Sequence, residues 1–231
     1  MISGRYNLFV LTMMKTPRVK ICCIGSVAEA QLAIKYGASA LGLVGPMPSG
    51  PGVIASSLAH EIVRAVPPPI STFLLTSETT ASRILAHHQK VPTSTIQLVD
   101  EIATKEYAVL RSGLPGVKLV QVIHVLNEGS IAQAQKAAEF ADAILLDSGN
   151  PGLPVKSLGG TGNTHDWQLS VAIKKAIDIP IFLAGGIKPD NVRDAVQTVK
   201  PHGIDLCSGV RTNGKLNENK LRAFFEELKK A

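Results

Sequence analysis

The chain has 231 residues, of which 45% are hydrophobic and 18% charged. These proportions exclude an intrinsically disordered chain, and the length fits one large α/β domain or two small ones. The formal net charge is +6, yet the basic residues never form a run of five, so we expect a mild positive field for a small anionic substrate, not a nucleic-acid-binding face.

The cysteine count and the apolar patterning indicate a protein of the reducing cytoplasm. Cys22, Cys23 and Cys207 are too few for a disulfide framework. No apolar stretch approaches the roughly 20 residues that a membrane helix needs. Residues 1–17 carry a short apolar patch without a small-residue cleavage site. We interpret this segment as an N-terminal extension, or as the product of a start codon assigned too early with Met14 as the true start.

From residue 19 onward, short β-branched runs alternate with longer segments of helical period. The predicted strands cover residues 19–23, 40–44, 70–75, 94–99, 118–125, 142–147, 180–185 and 203–208. The predicted helices that follow them cover residues 26–36, 57–66, 78–89, 104–111, 129–140 and 166–177, then a helix with Pro189 in its first turn, then 217–230.

Eight strand–helix units of about 27 residues each predict an α/β fold in which parallel strands are joined by right-handed crossovers. Eight such units favour a closed (β/α)8 TIM barrel. The alternative is an open Rossmann-like sheet, but the first strand is followed by CCIGSV and not by a glycine fingerprint. No linker interrupts the pattern, so we predict a single barrel domain over residues 18–231.

The catalytic and binding residues of such a barrel lie where the strands end and the βα loops begin. The glycine-rich ends LAGGI (183–187) and CSGV (207–210) follow the two last strands, and LGGTGNTHDW (158–167) follows the sixth. Glycine allows close backbone approach, and clustered N–H groups can hold a phosphate. One glycine pair alone would indicate only a tight turn. The three segments together predict a phosphate site.

Two side chains at strand ends are candidates for acid–base chemistry. Asp147 ends the apolar run 143–146, where it could act on a ligand or accept hydrogen bonds from the following loop. Cys22 shares one face of the first strand with Lys20, because side chains alternate along a strand. Its sulfur would lie at the barrel mouth, unless it is only a small buried apolar group. Cys23 is expected to face the helix layer in that second role.

The same alternation places Asp205 on the inner face of the last strand, next to the first strand in a closed barrel. We therefore predict an inward ion pair between Lys20 and Asp205. A zinc site is excluded by the spacing of the cysteines, because two are adjacent and only one other exists.

These motifs resemble those of the phosphoribosylanthranilate isomerase family. VKICCIGSVAEAQLAIKYGASALGLV is similar to the opening of that family, which has a VKICG-type strand, and DAILLDS…GGTGNTHDW resembles its sixth strand and phosphate loop. PIFLAGGIKPDNVRDAV and GIDLCSGV resemble its seventh and eighth strands. The resemblance covers residues 19–45 and 142–225, and elsewhere extends only to spacing.

The resemblance implies a cofactor-independent and metal-independent Amadori rearrangement in tryptophan biosynthesis. N-(5-phosphoribosyl)anthranilate would become the 1-deoxyribulose 5-phosphate product, with Asp147 as general acid and Cys22 as general base. Lys20 and Asp205 would support them. The implied phosphate-binding residues are Gly160, Thr161, Gly162, Gly185, Gly186, Ser208 and Gly209. The implied partner is a small phosphosugar, with neither nucleic acid nor membrane, and no feature of the sequence indicates an oligomeric state.

The sequence also departs from the family pattern around the aromatic ring of the substrate. Residues 47–54 lack the Arg that binds the anthranilate carboxylate in the family, and Val99 occupies the position at which the family has His. Arg83, Lys118 and Arg211 are candidates to replace that contact. The departures leave two alternatives open: an isomerase acting on another aminated phosphosugar, or a phosphosugar-binding barrel without catalysis.

Overall fold

The structure is a computed structural model that describes residues 16–149 and 164–231. Eight parallel strands follow one another around a closed barrel in chain order, and the last pairs with the first. The strands are β1 Arg18–Ile21, β2 Ala40–Val44, β3 Ser71–Thr76, β4 Thr95–Leu98, β5 Lys118–His124, β6 Ala143–Asp147, β7 Ile181–Leu183 and β8 Gly203–Leu206. The (β/α)8 TIM barrel predicted from the sequence is thereby confirmed.

Helices follow the strands and form the outer layer of the barrel. They are α1 Val27–Tyr36, α2 Ser56–Ala65, α3 Ala81–Lys90, α4 Thr104–Gly113, α5 Gly129–Ala138, α6 Trp167–Ala176, α7 Val192–Val199 and α8 Glu218–Leu228. A 3₁₀ turn (Ser208–Val210) and a two-stranded ribbon, β9 Arg211–Thr212 with β10 Lys215–Leu216, lie between β8 and α8. The predicted elements agree with these bounds to within a few residues, apart from α7.

The first helix shows why its two ends could be predicted from the sequence. The Ser26 hydroxyl accepts a hydrogen bond from the Glu29 amide at 3.1 Å, which caps the amino terminus of α1. Gly37 ends the helix with a φ of 116°, and its amide donates to the carbonyl groups of the last turn. The predicted helix over residues 26–36 therefore begins at its cap and ends one residue before its glycine.

The seventh helix begins later than the sequence predicted, at Val192 and not around Pro189. Pro189 lies in a turn ahead of the helix. The Asn191 side chain stabilises this turn, since its oxygen accepts from the Lys188 amide at 2.8 Å and its nitrogen donates to the Gly186 carbonyl at 3.0 Å. Proline suits a turn as well as a first helical turn, so its presence alone did not distinguish the two.

The apolar residues separate into layers according to strand alternation. Between the strands and the helices lies a core of branched aliphatic and aromatic side chains that includes Ile21, Leu41, Ile144 and Leu206. Inside the barrel lies a second cluster, which consists of Cys22, Cys23, Ala40, Val44, Phe73, Leu75, Val99, Val120, Val122, Ala143, Leu145, Phe182 and Ala184. The interior is therefore packed, and its upper layer forms the floor of the candidate site.

No helix within the described residues is long and apolar enough to cross a membrane.

Candidate active site

A pocket opens at the end of the barrel where the strands finish and the βα loops begin. We call it the mouth pocket; it is lined by Cys22, Cys23, Val44, Met47, Gly50, Pro51, Leu75, Gln97, Val99, Leu145, Asp147, Ala184, Gly185, Gly186, Ile187, Asp205, Cys207 and Ser208. Cys22 and Asp147, which lie 125 positions apart in the chain, thus face a single cavity.

The predicted ion pair between Lys20 and Asp205 is present beneath this pocket. The Lys20 Nζ donates to the Asp205 Oδ1 at 2.9 Å, and the Lys20 side chain is fully buried. The ammonium group also lies 5.3 Å from the centre of the Phe73 ring. Burial alone would lower the pKa of the Lys20 ammonium group. The negative charges of Asp205 and Cys22 together have the larger effect, so the pKa is raised. The interior of the barrel therefore holds a fixed positive charge.

Cys22 is buried, with 5% of its surface exposed, directly after β1. A hydrogen bond from the Cys23 thiol lowers the pKa of Cys22, and the Lys20 ammonium lowers it further, while burial acts in the opposite direction. The net effect is a pKa below the ordinary thiol value, which increases the fraction of thiolate near neutral pH.

The prediction that Cys23 faces the helix layer is wrong. Strand β1 ends at Ile21, and Cys23 has a φ of 60°, in the left-handed region, so the alternation along the strand no longer applies. Its sulfur lies 2.8 Å from the Cys207 sulfur and 3.5 Å from the Pro51 carbonyl oxygen. Hydrogen bonds with Cys207 and Cys22, together with burial, raise the pKa of Cys23, so it stays protonated.

Asp147 ends β6 and is buried, with 8% of its surface exposed. Its Oδ1 accepts a hydrogen bond from the Ser148 amide at 2.8 Å, which is the loop contact that the sequence left open as an alternative. Burial raises the pKa of this carboxyl group to about 6, and the Ser148 amide only partly offsets the effect. Asp147 can therefore carry a proton close to neutral pH, as a general acid must.

Four of the seven residues predicted to bind phosphate lie in the described part of the chain, and they meet beside the mouth pocket. Gly186, Ser208 and Gly209 also line a neighbouring cleft that includes Lys188 and Lys220.

Glycine is favoured at three of these positions. Gly185 and Gly186 have φ values of 79° and 63°, and a Cβ atom at Gly209 would collide with the Ile187 carbonyl oxygen. The other three predicted residues, Gly160, Thr161 and Gly162, lie outside the described residues.

None of the three basic residues considered for the anthranilate carboxylate lines the mouth pocket. Arg83 is exposed and pairs with Glu78. Lys118 begins β5, at the opposite end of the barrel, and pairs with Asp142. Arg211 is buried in contacts of its own, which are described next.

Arg211 holds the segment that carries the two adjacent cysteines, a role that the sequence did not reveal. Its Nη2 donates to the carbonyl oxygens of Cys22 at 3.1 Å and Cys23 at 2.6 Å, while its Nη1 pairs with the Glu29 carboxylate at 3.1 Å. Glu29 also accepts from the Leu216 amide at 2.8 Å. Partners 182 residues apart give no local sequence signal.

Gln97 is a second site residue that the sequence analysis did not single out. It lies on β4, is 4% exposed, and its side-chain oxygen has no hydrogen-bond partner among the described residues. A buried polar atom without a partner is costly, and Gln97 lines the mouth pocket. Strand alternation, which places residues 95, 97 and 99 on one face, was the signal that could have identified it.

Within residues 16–149 and 164–231, no group of three or more His, Cys, Asp or Glu side chains is arranged to hold a metal ion.

Comparison with known proteins relates the whole barrel to one family. The profile of N-(5'-phosphoribosyl)anthranilate (PRA) isomerase matches residues 19–227. The N-(5'-phosphoribosyl)anthranilate isomerase of Methanosarcina acetivorans is 32% identical, in an alignment covering 94% of this chain and 95% of the relative. That of Haloferax volcanii is 34% identical, covering 93% of this chain and 94% of the relative.

Solved structures agree with the sequence relatives. The phosphoribosyl anthranilate isomerase of Thermotoga maritima superposes with a TM-score of 0.80 at 28% identity, covering 93% of this chain and all of that one. A second, in complex with reduced 1-(o-carboxyphenylamino)-1-deoxyribulose 5-phosphate, superposes with a TM-score of 0.77 at 25% identity, with the same coverage. With a matching family profile over most of its length and relatives above 30% identity, the chain belongs to the N-(5'-phosphoribosyl)anthranilate isomerase family.

Proposed function

We propose that the protein converts N-(5'-phosphoribosyl)anthranilate into the corresponding 1-deoxyribulose 5-phosphate, a step of tryptophan biosynthesis. The observation that carries the proposal is the pairing of Cys22 and Asp147 in one pocket with opposite changes in acidity. Burial raises the pKa of Asp147 to about 6, whereas the Cys23 thiol and Lys20 lower the pKa of Cys22. One group can then donate a proton and the other accept one near neutral pH.

Asp147 acts first in the proposed reaction. It protonates the oxygen of the ribofuranose ring, the bond from that oxygen to C1 breaks, and the ring opens to an iminium ion. The burial that raises the pKa of Asp147 increases the fraction of the acid that is protonated near neutral pH. The Ser148 amide, 2.8 Å from Oδ1, orients the carboxyl group.

Cys22 acts second, as the base. Its thiolate removes the proton from C2 of the iminium ion, and the resulting enol becomes the ketone of the product. A hydrogen bond from the Cys23 thiol stabilises the thiolate, and the charge of Lys20 stabilises it further. This reaction needs no cofactor, because both proton transfers use side chains.

The phosphate of the substrate binds to the turns after β7 and β8. Gly185, Gly186, Ser208 and Gly209 bring backbone amides close to the pocket, while Lys188 and Lys220 line the adjoining cleft. The predicted loop residues Gly160, Thr161 and Gly162 complete this site in the proposal. A phosphosugar is therefore the expected small-molecule partner.

The anthranilate ring lies against the apolar wall of the mouth pocket, which includes Val44, Met47 and Val99. None of the described residues that line this pocket is Arg or Lys, and Lys20 beneath it is buried against Asp205. Recognition of the anthranilate carboxylate therefore differs from the Arg contact that the resemblance implied. Three free thiols suit a reducing compartment, so we propose the cytoplasm as the location.

Rescue of a tryptophan auxotroph that lacks this isomerase tests the proposal. We expect the wild-type gene to restore growth without tryptophan, and Cys22→Ser and Asp147→Ala genes to fail. Asp178→Ala is the matched control, because Asp178 is exposed just ahead of β7, away from the mouth pocket. Soluble, folded wild-type protein that gives no growth would overturn the proposed function.

A further inference from the structure

Two thiols at the barrel mouth have no part in the proton transfers described above. The Cys23 and Cys207 sulfur atoms lie 2.8 Å apart. A disulfide bond is about 2.05 Å long, so the two atoms need to approach by less than about 1 Å to form one. We call these two residues the thiol pair.

The backbone also suits a covalent bond between the two residues. Cys23 follows β1 and Cys207 follows β8, and these strands are hydrogen-bonded neighbours in which Ile21 pairs with Leu206. Continued by one residue, this register sets Cys22 beside Cys207. The next residue, Cys23, has a positive φ, and its sulfur lies 2.8 Å from that of Cys207.

The backbone conformation of Cys23 independently indicates that its side chain has a functional role. Its φ of 60° lies in the left-handed region, where a side chain is disfavoured and glycine is favoured. A residue held in this region despite its Cβ atom is typical of a functional position. The unusual backbone turns the thiol away from the helix layer and toward Cys207.

The two thiols differ in solvent exposure, and this difference determines which of them is oxidised first. Cys23 is 6% exposed, whereas Cys207 is the only one of the three cysteines that is partly exposed, at the wall of the mouth pocket. All three cysteines line the pocket, but Cys207 is the most exposed of them, so a small oxidant reaches its sulfur most readily and Cys23 is in place to react with the product.

We propose that the thiol pair Cys23–Cys207 is a site of reversible oxidation, at which hydrogen peroxide converts the two thiols into a disulfide that slows the isomerase. The effect on turnover rests on the proposed function, whereas formation of the disulfide does not.

The chemistry is balanced in two steps. The Cys207 sulfur attacks one oxygen of the peroxide: an S–O bond forms, the O–O bond breaks, and the thiol proton leaves with hydroxide as water. The Cys23 sulfur then attacks the Cys207 sulfur: the S–S bond forms, the S–O bond breaks, and a second water carries away the Cys23 proton. Two thiols lose two electrons, and peroxide gains them. A dithiol reverses the reaction by exchange.

Oxidation would remove a hydrogen bond on which Cys22 depends. In the reduced protein, the Cys23 thiol makes the largest contribution to the lowered pKa of Cys22. A disulfide has no proton to donate, so the pKa of Cys22 rises. The thiolate fraction of Cys22 near neutral pH falls with that rise, and we expect the rate at pH 7 to fall as well.

Peptide mapping of the full-length protein tests the disulfide directly. The reduced protein is treated with hydrogen peroxide, alkylated and digested with trypsin without reduction. We expect the peptide of residues 21–35, which holds both adjacent cysteines, to be linked to that of residues 194–211, which holds Cys207. Peptides that stay separate, with all three cysteines alkylated or with a link inside residues 21–35, would overturn the proposal.

Two matched variants identify the partner of Cys207. Cys22→Ser keeps the thiol pair and is expected to give the linked peptide as wild type does. Cys23→Ser keeps Cys22 and Cys207 and is expected to give at most about a tenth as much. Equal linkage in both variants contradicts the assignment to Cys23. Should Cys23→Ser fail to fold, Cys23→Ala replaces it, and as much linked peptide in that variant as in wild type would equally contradict the assignment.

The activity measurement is separate from the mapping. Peroxide is expected to cause a loss of wild-type turnover at pH 7, and dithiothreitol to restore it. Cys207→Ser should keep its own starting activity through the same treatment. A disulfide that forms without changing turnover overturns the regulatory part alone. A protein without isomerase activity still reports the disulfide, so failure of the proposed function is distinguishable.

Discussion

At the scale of single residues, the site depends on how burial and neighbouring groups shift the pKa values of Asp147 and Cys22 in opposite directions. Asp147 is buried and receives one backbone hydrogen bond, and burial has the larger effect, so its neutral form is favoured more than that of an exposed carboxyl group. Cys22 lies beside a protonated thiol and above a buried ammonium group, so its ionised form is favoured. The same pocket therefore holds a carboxyl group that binds its proton more tightly than usual and a thiol that loses its proton more easily than usual.

The burial of Asp147 has a consequence for stability. Its carboxyl group ionises at a pKa of about 6 in the folded chain against an ordinary 3.8. The folded state therefore loses stability as pH rises from 4 to 6, by about 3 kcal/mol for two pKa units. We expect Asp147→Asn to raise the unfolding free energy by about 2–3 kcal/mol at pH 8 and to leave it nearly unchanged at pH 4.

Denaturant titration at the two pH values measures this difference. Asp178→Asn is the control, because Asp178 is exposed. An Asp147→Asn variant that is less stable than wild type at pH 8 would contradict the account of this carboxyl group.

The pH dependence of kcat/KM follows from the same two groups. The proposed reaction needs Asp147 protonated and Cys22 ionised, so the profile is bell-shaped. One limb has an apparent pKa of about 6 from Asp147, and the other reflects a Cys22 pKa below the ordinary thiol value. Asp147→Asn is expected to lose the limb near 6. If that limb persists in the variant, it belongs to another group, such as the substrate phosphate, whose second pKa is about 6.

At the scale of elements, the segment between β1 and α1 is held by residues from the far end of the chain. Arg211 in β9 contacts the carbonyl groups of Cys22 and Cys23, and Glu29 in α1 joins Arg211 to β10. This arrangement keeps two consecutive cysteines in place although the second has a positive φ. The position of the base thus depends on the ribbon that follows β8.

Replacement of Arg211 tests that dependence. Arg211→Met leaves Glu29 without its cation and removes the guanidinium donor from the carbonyl groups of Cys22, Cys23 and Gly214, which costs about 3 kcal/mol of unfolding free energy. Because small displacements of a catalytic group are expensive, we expect kcat/KM to fall at least about tenfold. Both are measured against Arg222→Met, in which an exposed arginine of α8 is lost. Similar kinetics of the two variants would show that Arg211 does not position Cys22.

Sequence patterns predicted most of the site, and the failures have specific causes. Strand alternation placed Lys20, Cys22 and Asp205 on inner faces because regular strands reach those positions or end just before them. The same rule failed at Cys23, because the strand had already ended and the backbone had turned. The contact of Arg211 with Glu29 could not be predicted from the sequence, because no local pattern links residues 182 positions apart.

At the scale of the whole molecule, the ion pair of Lys20 and Asp205 joins the first strand of the barrel to the last. The two residues are direct partners in the register of β1 and β8, where the barrel closes. Their charges are buried together, so each compensates the other. The barrel could be predicted from eight repeated units, and this closing pair from their parity.

Removal of one partner should destabilise the entire barrel. We expect Lys20→Met to cost about 3–5 kcal/mol of unfolding free energy, because Asp205 is left buried without a cation. The double variant Lys20→Met/Asp205→Leu should recover most of that loss. Lys136→Met, which breaks an exposed pair with Glu101, should cost no more than about 1 kcal/mol. Equal losses in the single and double variants would contradict the compensation.

The most direct test of the proposed function is the steady-state rate with which the purified protein isomerises N-(5'-phosphoribosyl)anthranilate. We expect wild-type turnover, and a fall in kcat of about 10²–10⁴-fold for Cys22→Ser and for Asp147→Asn, with both variants folded. A folded wild-type protein that leaves this substrate unchanged, or variants that turn it over at the wild-type rate, would contradict the assignment of these two side chains as acid and base.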